Sequence, residues 1–291
     1  CLGWDAYPYD NCIPESFTGF CITLLGAVLE PRSAMPRFAA NLSWLFTEHA
    51  FPDRFKAAAD AGFKAVEFLF PYDYAPDEIA RWQRDANVQT VLFNLPPGIW
   101  QNGERGLAAQ PGREQDFRIS VELALLHARA LGTRRLHAMA GMADPDHLRS
   151  EQMASYVANL RHAARRCASA GVELLIEAIN PVDMPHYFLT RISQALEVIA
   201  AVGEPNLRLQ FDAYHVLQMG EDVHEAFRQA APHVGHIQIA GSPGRHEPDS
   251  GTYDYRALFD LIDASGFSAW IGCEYRPAGR TEDGLGWLKD R

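Results

Sequence analysis

The sequence predicts a single (β/α)8 TIM barrel over residues 35–291, and three observations lead there. Eight short β-branched or aromatic runs alternate with longer stretches of helical period, the arithmetic of a barrel of about 250 residues. Gly62, Gly132, Gly171, Gly203 and Gly266 each fall after a helical stretch and shortly before a strand, where a left-handed C-terminal cap belongs. The first strand leads into Asn41-Leu-Ser-Trp. That turn lacks the glycine-rich phosphate signature of the competing doubly wound open sheet.

Each element follows in order. Strands are expected at 37–42 (RFAANL), 64–69 (KAVEFL), 88–94 (VQTVLFN), 134–140 (RRLHAMA), 172–177 (VELLIE), 207–212 (LRLQFD), 234–239 (VGHIQI) and 269–274 (AWIGCE). Between the third and fourth, Phe117, Val121, Ala124, Leu125, Ala128 and Leu131 form one helical stripe. Between the fourth and fifth, Met153, Val157, Leu160, Ala164 and Cys167 form another. No composition shift after Met35 marks a second domain.

Composition narrows the function classes. Apolar residues make up 47% and charged residues 22%, as in ordinary globular proteins. The net charge of −11 argues against nucleic-acid binding, which depends on neutralising phosphates, and against an anionic membrane surface. Cys1, Cys12 and Cys21 lie near the start, leaving only Cys167 and Cys273 beyond. No CxxC pair suggests a zinc site, so a reducing, cytoplasmic setting is expected. Residues 1–34 read as foreign to the barrel, an upstream-derived or extraneous segment, the alternative being an arm packed on it. Their apolar run from Phe17 to Leu29 is too short to span a bilayer and follows Asp5, Asp10 and Glu15 rather than a basic flank.

Barrel active sites form where strands end at the C-terminal rim. The fifth, sixth and eighth runs end at Glu177, Asp212 and Glu274, and the seventh carries Gln238 near its end. Any one such residue could simply meet solvent; four on adjacent strands make a constellation. Each acid follows apolar residues, so its carboxylate needs a cation. Three carboxylates and an amide oxygen suit Mg2+ or Mn2+ better than Zn2+.

From Met35 onward the chain resembles the hydroxypyruvate isomerase family of the xylose isomerase-like barrels. The resemblance rests on FAANLS at 38–43, VEFLFPYDY at 66–74, FNLPPG at 93–98, GERGLAA at 103–109, HIQIA at 236–240, PGRHEP at 243–248 and GCEY at 272–275. It implies a divalent metal held by Glu177, Asp212, Gln238 and Glu274, with Glu177 and Glu274 as the acid/base pair. It also implies isomerisation of hydroxypyruvate to tartronate semialdehyde through an enediol. A four-carbon 2-oxo-tetronate is the alternative substrate, and ketose 3-epimerisation a further one. A homo-oligomer is expected by the same resemblance. Gly241-Ser242 stands where the family pattern has Asp-Asn, beside the substrate loop, which bears on substrate choice. Endonuclease IV-like barrels share the fold, but this chain lacks their histidine-rich zinc cluster and basic face.

Further candidates surround these residues. His215, three after Asp212, is placed over the site as a contact for a substrate hydroxyl. Arg245 offers a bidentate fork for a substrate carboxylate, the alternative being a loop pair with Glu247 or Asp249. Asp183 reaches the substrate or serves a turn. Phe70, Tyr72, Trp100 and Tyr275 are candidate pocket walls, with Trp100 assigned to substrate. His137 reads as a satisfied barrel residue, and His236 as one that lines the barrel or steadies a ligand.

Overall fold

The computed structural model describes residues 36–290, in which eight parallel strands close into a barrel in sequence order. They are β1 (Arg37–Asn41), β2 (Ala65–Phe68), β3 (Gln89–Asn94), β4 (Arg135–His137), β5 (Glu173–Glu177), β6 (Leu207–Asp212), β7 (Val234–Ile239) and β8 (Trp270–Cys273). The pairs Phe38↔Ile271 and Ala39↔Gly272 close β8 onto β1. The surrounding helices are α1 (Phe51–Asp60), α2 (Pro76–Ala86), α3 (Glu114–Leu131), α4 (Arg149–Ala168), α5 (Ile192–Val202), α6 (Ala213–Gln218), α7 (Val223–Ala230) and α8 (Arg256–Ala264). Among the described residues, no helix is long and apolar enough to cross a membrane. The expectation for residues 1–34 lies outside the described residues.

The helices follow the anticipated stripes and stops. All six stripe residues of α3 are buried, and Gly132 caps its C-terminus at φ 67°. The other four glycines also take positive φ, as left-handed stops require. On α4 the burial is rotated from expectation: Met153 and Val157 are only half-buried, while Gln152 and Asn159 face inward. The reason is polar. Asn159 Nδ2 donates to Ala108 O (2.9 Å) and Gln152 Nε2 to Ala109 O (3.2 Å), satisfying carbonyls of the β3–α3 connection.

Four strands end short of the sequence reading, β1 and β2 by one residue each, and β4 and β8 with consequences for the rim. β4 stops at His137 rather than running to 140; Ala140 N donates to the Tyr187 hydroxyl (2.8 Å) instead of a neighbouring strand. β8 stops at Cys273, so Glu274 stands one residue past it, although its N–H still reaches Ile239 O at 3.2 Å.

The period-two alternation of strands sorts the barrel interior into two levels. Ala39, Ala65 and Leu175 join Val91 and Leu92 in a buried apolar floor, with Trp270 packed against it. Two residues further along the same faces come Asn41, Glu67 and Glu177, all buried. The outward faces, such as Val66, Ile176, Phe211, Ile237 and Ile271, pack against the helices in one larger core. A polar layer therefore rests on a dry floor, and it opens only upward.

Candidate active site

Above that layer lies a cavity of about 860 Å³ whose wall includes Glu177, Glu274, His215, Arg245, Asp183 and Trp100. Asp212 and Gln238 are buried below the wall, within reach of its groups. Asp212 serves two structures at once. Its Oδ1 caps α6 by accepting from Tyr214 N (2.9 Å), leaving Oδ2 for Arg245 (3.3 Å) and His215 Nε2 (3.4 Å). The cap turns a flexible carboxylate into a fixed one.

The three carboxylates crowd one another. Burial, then the charges of Glu274 and Asp212, push Glu177 well above the usual carboxylate range. Burial raises Glu274 to about 8 and Asp212 to about 6, with Arg245 working in the opposite direction on both. Glu177 Oε1 is buried without a hydrogen-bond partner. An unpartnered oxygen facing other acids is the arrangement a cation would complete. Glu177, Asp212 and His215 offer ligand atoms within 4.8 Å of one another.

His215 belongs with these acids for a different reason. Asn180 Oδ1 accepts from Val182 N (3.0 Å) and Asp183 N (2.9 Å), which fixes the amide so that Nδ2 points at His215 Nδ1 (2.7 Å). His215 Nδ1 is therefore the acceptor, and Nε2 carries the hydrogen. That N–H faces Glu177 Oε1 (3.5 Å) and Asp212 Oδ2 (3.4 Å). Burial, with the charge of Arg245, keeps the ring neutral. A nitrogen bearing a hydrogen presents no lone pair to a metal, so this geometry suits donation to an oxygen.

Gln238 sits in the polar layer. Its Oε1 accepts from Gln210 Nε2 (2.6 Å), and its Nε2 donates to Glu67 Oε1 (2.7 Å). The oxygen keeps a second lone pair. Gln210 Nε2 also reaches Glu177 Oε2 (3.0 Å), coupling two of the expected ligands. Glu67, fully buried, is held by Asn41 Nδ2 (3.0 Å) and His236 Nε2 (2.6 Å) as well. His236 thus steadies the layer through Glu67 rather than entering the cavity.

Arg245 pairs with neither Glu247 nor Asp249. It lies 3.3 Å from Asp212 Oδ2, 3.2 Å from Glu274 Oε2 and 3.8 Å from Asp183 Oδ2, between the rings of Trp44 and Tyr214. Asp183 lines the cavity and also serves its turn through Asn180. Phe70 and Trp100 form wall, with ring centroids 5.4 Å apart. Tyr72 and Tyr275 do not, because each hydroxyl is engaged elsewhere, with Asn94 O and Trp287 Nε1. His137 is less satisfied than expected: it lines the cavity, and its Nε2 has no partner. The loop after β7 closes tightly on Gly241, where a Cβ would meet Glu247 O at 2.3 Å. An Asp at 241 therefore requires a different loop conformation.

Four supporting residues escaped the sequence reading: Trp44, whose indole donates to Glu274 Oε1 (3.1 Å), with Glu67, Asn180 and Gln210. Gln210 had a signal, since it shares the inward face with Asp212 two residues on. Asn180, three residues past the end of β5, had none.

Comparison with known proteins agrees with this architecture. Residues 55–291 match the model of the xylose isomerase-like TIM barrel family. A Cupriavidus necator protein named 2-oxo-tetronate isomerase is 52% identical over 256 residues, covering 88% of this chain and 98% of that one. An Escherichia coli hydroxypyruvate isomerase is 44% identical over 255 residues, covering 87% and 98%. A Brucella melitensis crystal structure described as an AP endonuclease of family 2 superimposes with a TM-score of 0.86 at 45% identity, covering 88% and 99%. The chain belongs to the xylose isomerase-like TIM barrel family, in the branch that includes proteins named hydroxypyruvate and 2-oxo-tetronate isomerases.

Proposed function

We propose that the protein is an aldose–ketose isomerase of a small hydroxy-oxo acid, interconverting hydroxypyruvate and 2-hydroxy-3-oxopropanoate. The observation that carries this reading is the buried pair Glu177 and Glu274, brought from β5 and the end of β8 to one cavity around Asp212. Isomerisation takes a proton from the hydroxyl-bearing carbon and delivers one to the neighbouring carbonyl carbon, while a hydroxyl proton passes between the two oxygens. Two carboxyl groups of raised pKa can share that work. The Nε2–H of neutral His215 offers a hydrogen bond to the oxygen on which charge develops. Trp44 and Gln210 hold Glu274 and Glu177 in place, and Arg245 balances the acids.

The unpartnered Glu177 oxygen and the crowding of three acids fit a divalent cation, with Glu177, Asp212, Gln238 and Glu274 as the residues that would hold it. All-oxygen donors favour Mg2+ or Mn2+, which when bound supplies Lewis-acid polarisation of the substrate oxygens. The four-carbon 2-oxo-tetronate is a second reading, favoured by the 52% identity with the Cupriavidus protein. The test is a substrate panel of hydroxypyruvate, 2-oxo-tetronate and neutral ketoses, run on chelator-treated protein with and without Mg2+ or Mn2+. Turnover of an oxo acid that requires added cation supports the reading. Turnover of neutral ketoses alone, or full activity without metal, overturns it.

A further inference from the structure

Three arginines open onto the cavity, Arg105, Arg245 and Arg276, and their surroundings differ. Arg245 is matched by the carboxylates of Asp183, Asp212 and Glu274, and its Nε already donates to Glu274 O (3.3 Å). Its charge is spoken for within the protein. Arg276 is exposed, with its cation 5.8 Å from the Trp44 ring. Water competes there for any ligand.

Arg105, on the β3–α3 connection, is half-buried and held. Its Nη1 donates to Trp100 O (2.9 Å) and Glu104 O (2.8 Å), and its guanidinium carbon lies 3.8 Å from the Trp100 ring centroid. The adjacent acid does not neutralise it, because the Glu104 carboxylate accepts from Arg113 Nη1 and from Ile99 N. Among the described residues, no carboxylate pairs with Arg105, and its Nε–Nη2 edge is left without a protein acceptor. The following residue anchors the backbone: Gly106 N donates to Pro97 O (2.9 Å), and a Cβ at 106 would meet Met139 O at 2.3 Å.

We infer that Arg105 receives the carboxylate of the substrate and so selects anionic hydroxy-oxo acids over neutral sugars, an inference that rests on the isomerase reading above. The free edge presents two parallel N–H groups, the geometry a carboxylate accepts side-on. A guanidinium already stacked and hydrogen-bonded loses little freedom on binding, so more of the interaction appears as affinity. The acidic cluster repels a carboxylate, so the reacting carbons rather than the carboxylate turn toward Glu177 and Glu274.

The experiment compares wild type with Arg105→Ala, Arg105→Gln, Arg105→Lys and Arg276→Ala, each verified as folded by circular dichroism. It has two arms. In the first, kcat/KM is measured for oxo acids and for any neutral ketose the wild type turns over. Arg105→Ala and Arg105→Gln should lose at least about 30-fold on the oxo acids, mainly through KM, and hardly change the ketose rate. Arg105→Lys should fall between. In the second, calorimetry follows binding of glycerate, which lacks the carbonyl, against glycerol. Glycerate affinity should fall at least about 30-fold in Arg105→Ala and stay near wild type in Arg276→Ala. Equal losses on anionic and neutral ligands, a glycerate loss confined to Arg276→Ala, or no glycerate binding by wild type overturns the inference. Absence of oxo-acid turnover in wild type overturns the isomerase reading instead, and the glycerate arm still decides Arg105.

Discussion

Replacing Gly272 by alanine should destabilise the fold by about 2–4 kcal/mol, although the change adds one methyl group. A Cβ at 272 would lie 2.3 and 2.4 Å from the two Glu67 carboxylate oxygens. A flexible surface side chain would swing aside, but Glu67 is fully buried and gripped by Asn41, Gln238 and His236 at 3.0, 2.7 and 2.6 Å. Two responses are open. The barrel can strain around the methyl, at about 1–3 kcal/mol. Alternatively, Glu67 can turn away and abandon hydrogen bonds to its carboxylate, each contributing about 1.5–3 kcal/mol. Urea unfolding at constant m-value measures the loss, with Gly279→Ala as control, since a Cβ there meets nothing within 4 Å. A cost below about 0.5 kcal/mol, indistinguishable from the control, would refute the claim that Glu67 is rigidly held. Because Glu67 also orients the Gln238 amide, Gly272→Ala should bind Mn2+ more weakly by calorimetry.

Glu177→Gln and Glu274→Gln should each lower kcat by about 10²–10⁴-fold while leaving the fold intact; near-wild-type turnover in either removes that residue from the acid/base pair. Asn180→Ala should release the His215 tautomer, read from the ¹⁵N shifts of the ring nitrogens, and an unchanged Nε2–H signal would show that Asn180 does not set it. Metal-free protein should lose stability as pH rises from about 4.5 to about 8. Over that range the unfolded chain has already released the protons that Glu274 and Asp212, with folded pKa values raised to about 8 and about 6, still hold, and ionising them in the fold sets them against each other. Buried His137, lowered to about 3, works the other way below about pH 6.5, where the unfolded chain takes up a proton that the fold refuses, and offsets only one of the two acids. Added Mg2+ or Mn2+ should restore the alkaline side, and thermal midpoints that fall in parallel with and without cation would contradict this.

What the sequence determined by itself was periodic or terminal. Strand alternation places Glu177 and Asp212 at rim ends and Gln238 on an inward face, and glycine stops mark where helices α3 and α5 turn back. These are local properties, set by the period of the side chains and by φ at single residues. What the tertiary structure decided depends on which charge meets which. Arg245 is 29 residues from Glu274 in sequence, and nothing in PGRHEP says it will meet the acids of the site rather than Glu247. Glu67 and His236 lie 169 residues apart, on strands that meet only across the barrel interior. The His215 tautomer depends on an amide whose orientation is fixed by a turn two and three residues beyond it. Hydrogen bonds and ion pairs act over about 3–4 Å, so partners distant in sequence are chosen only when the closed barrel brings their walls together.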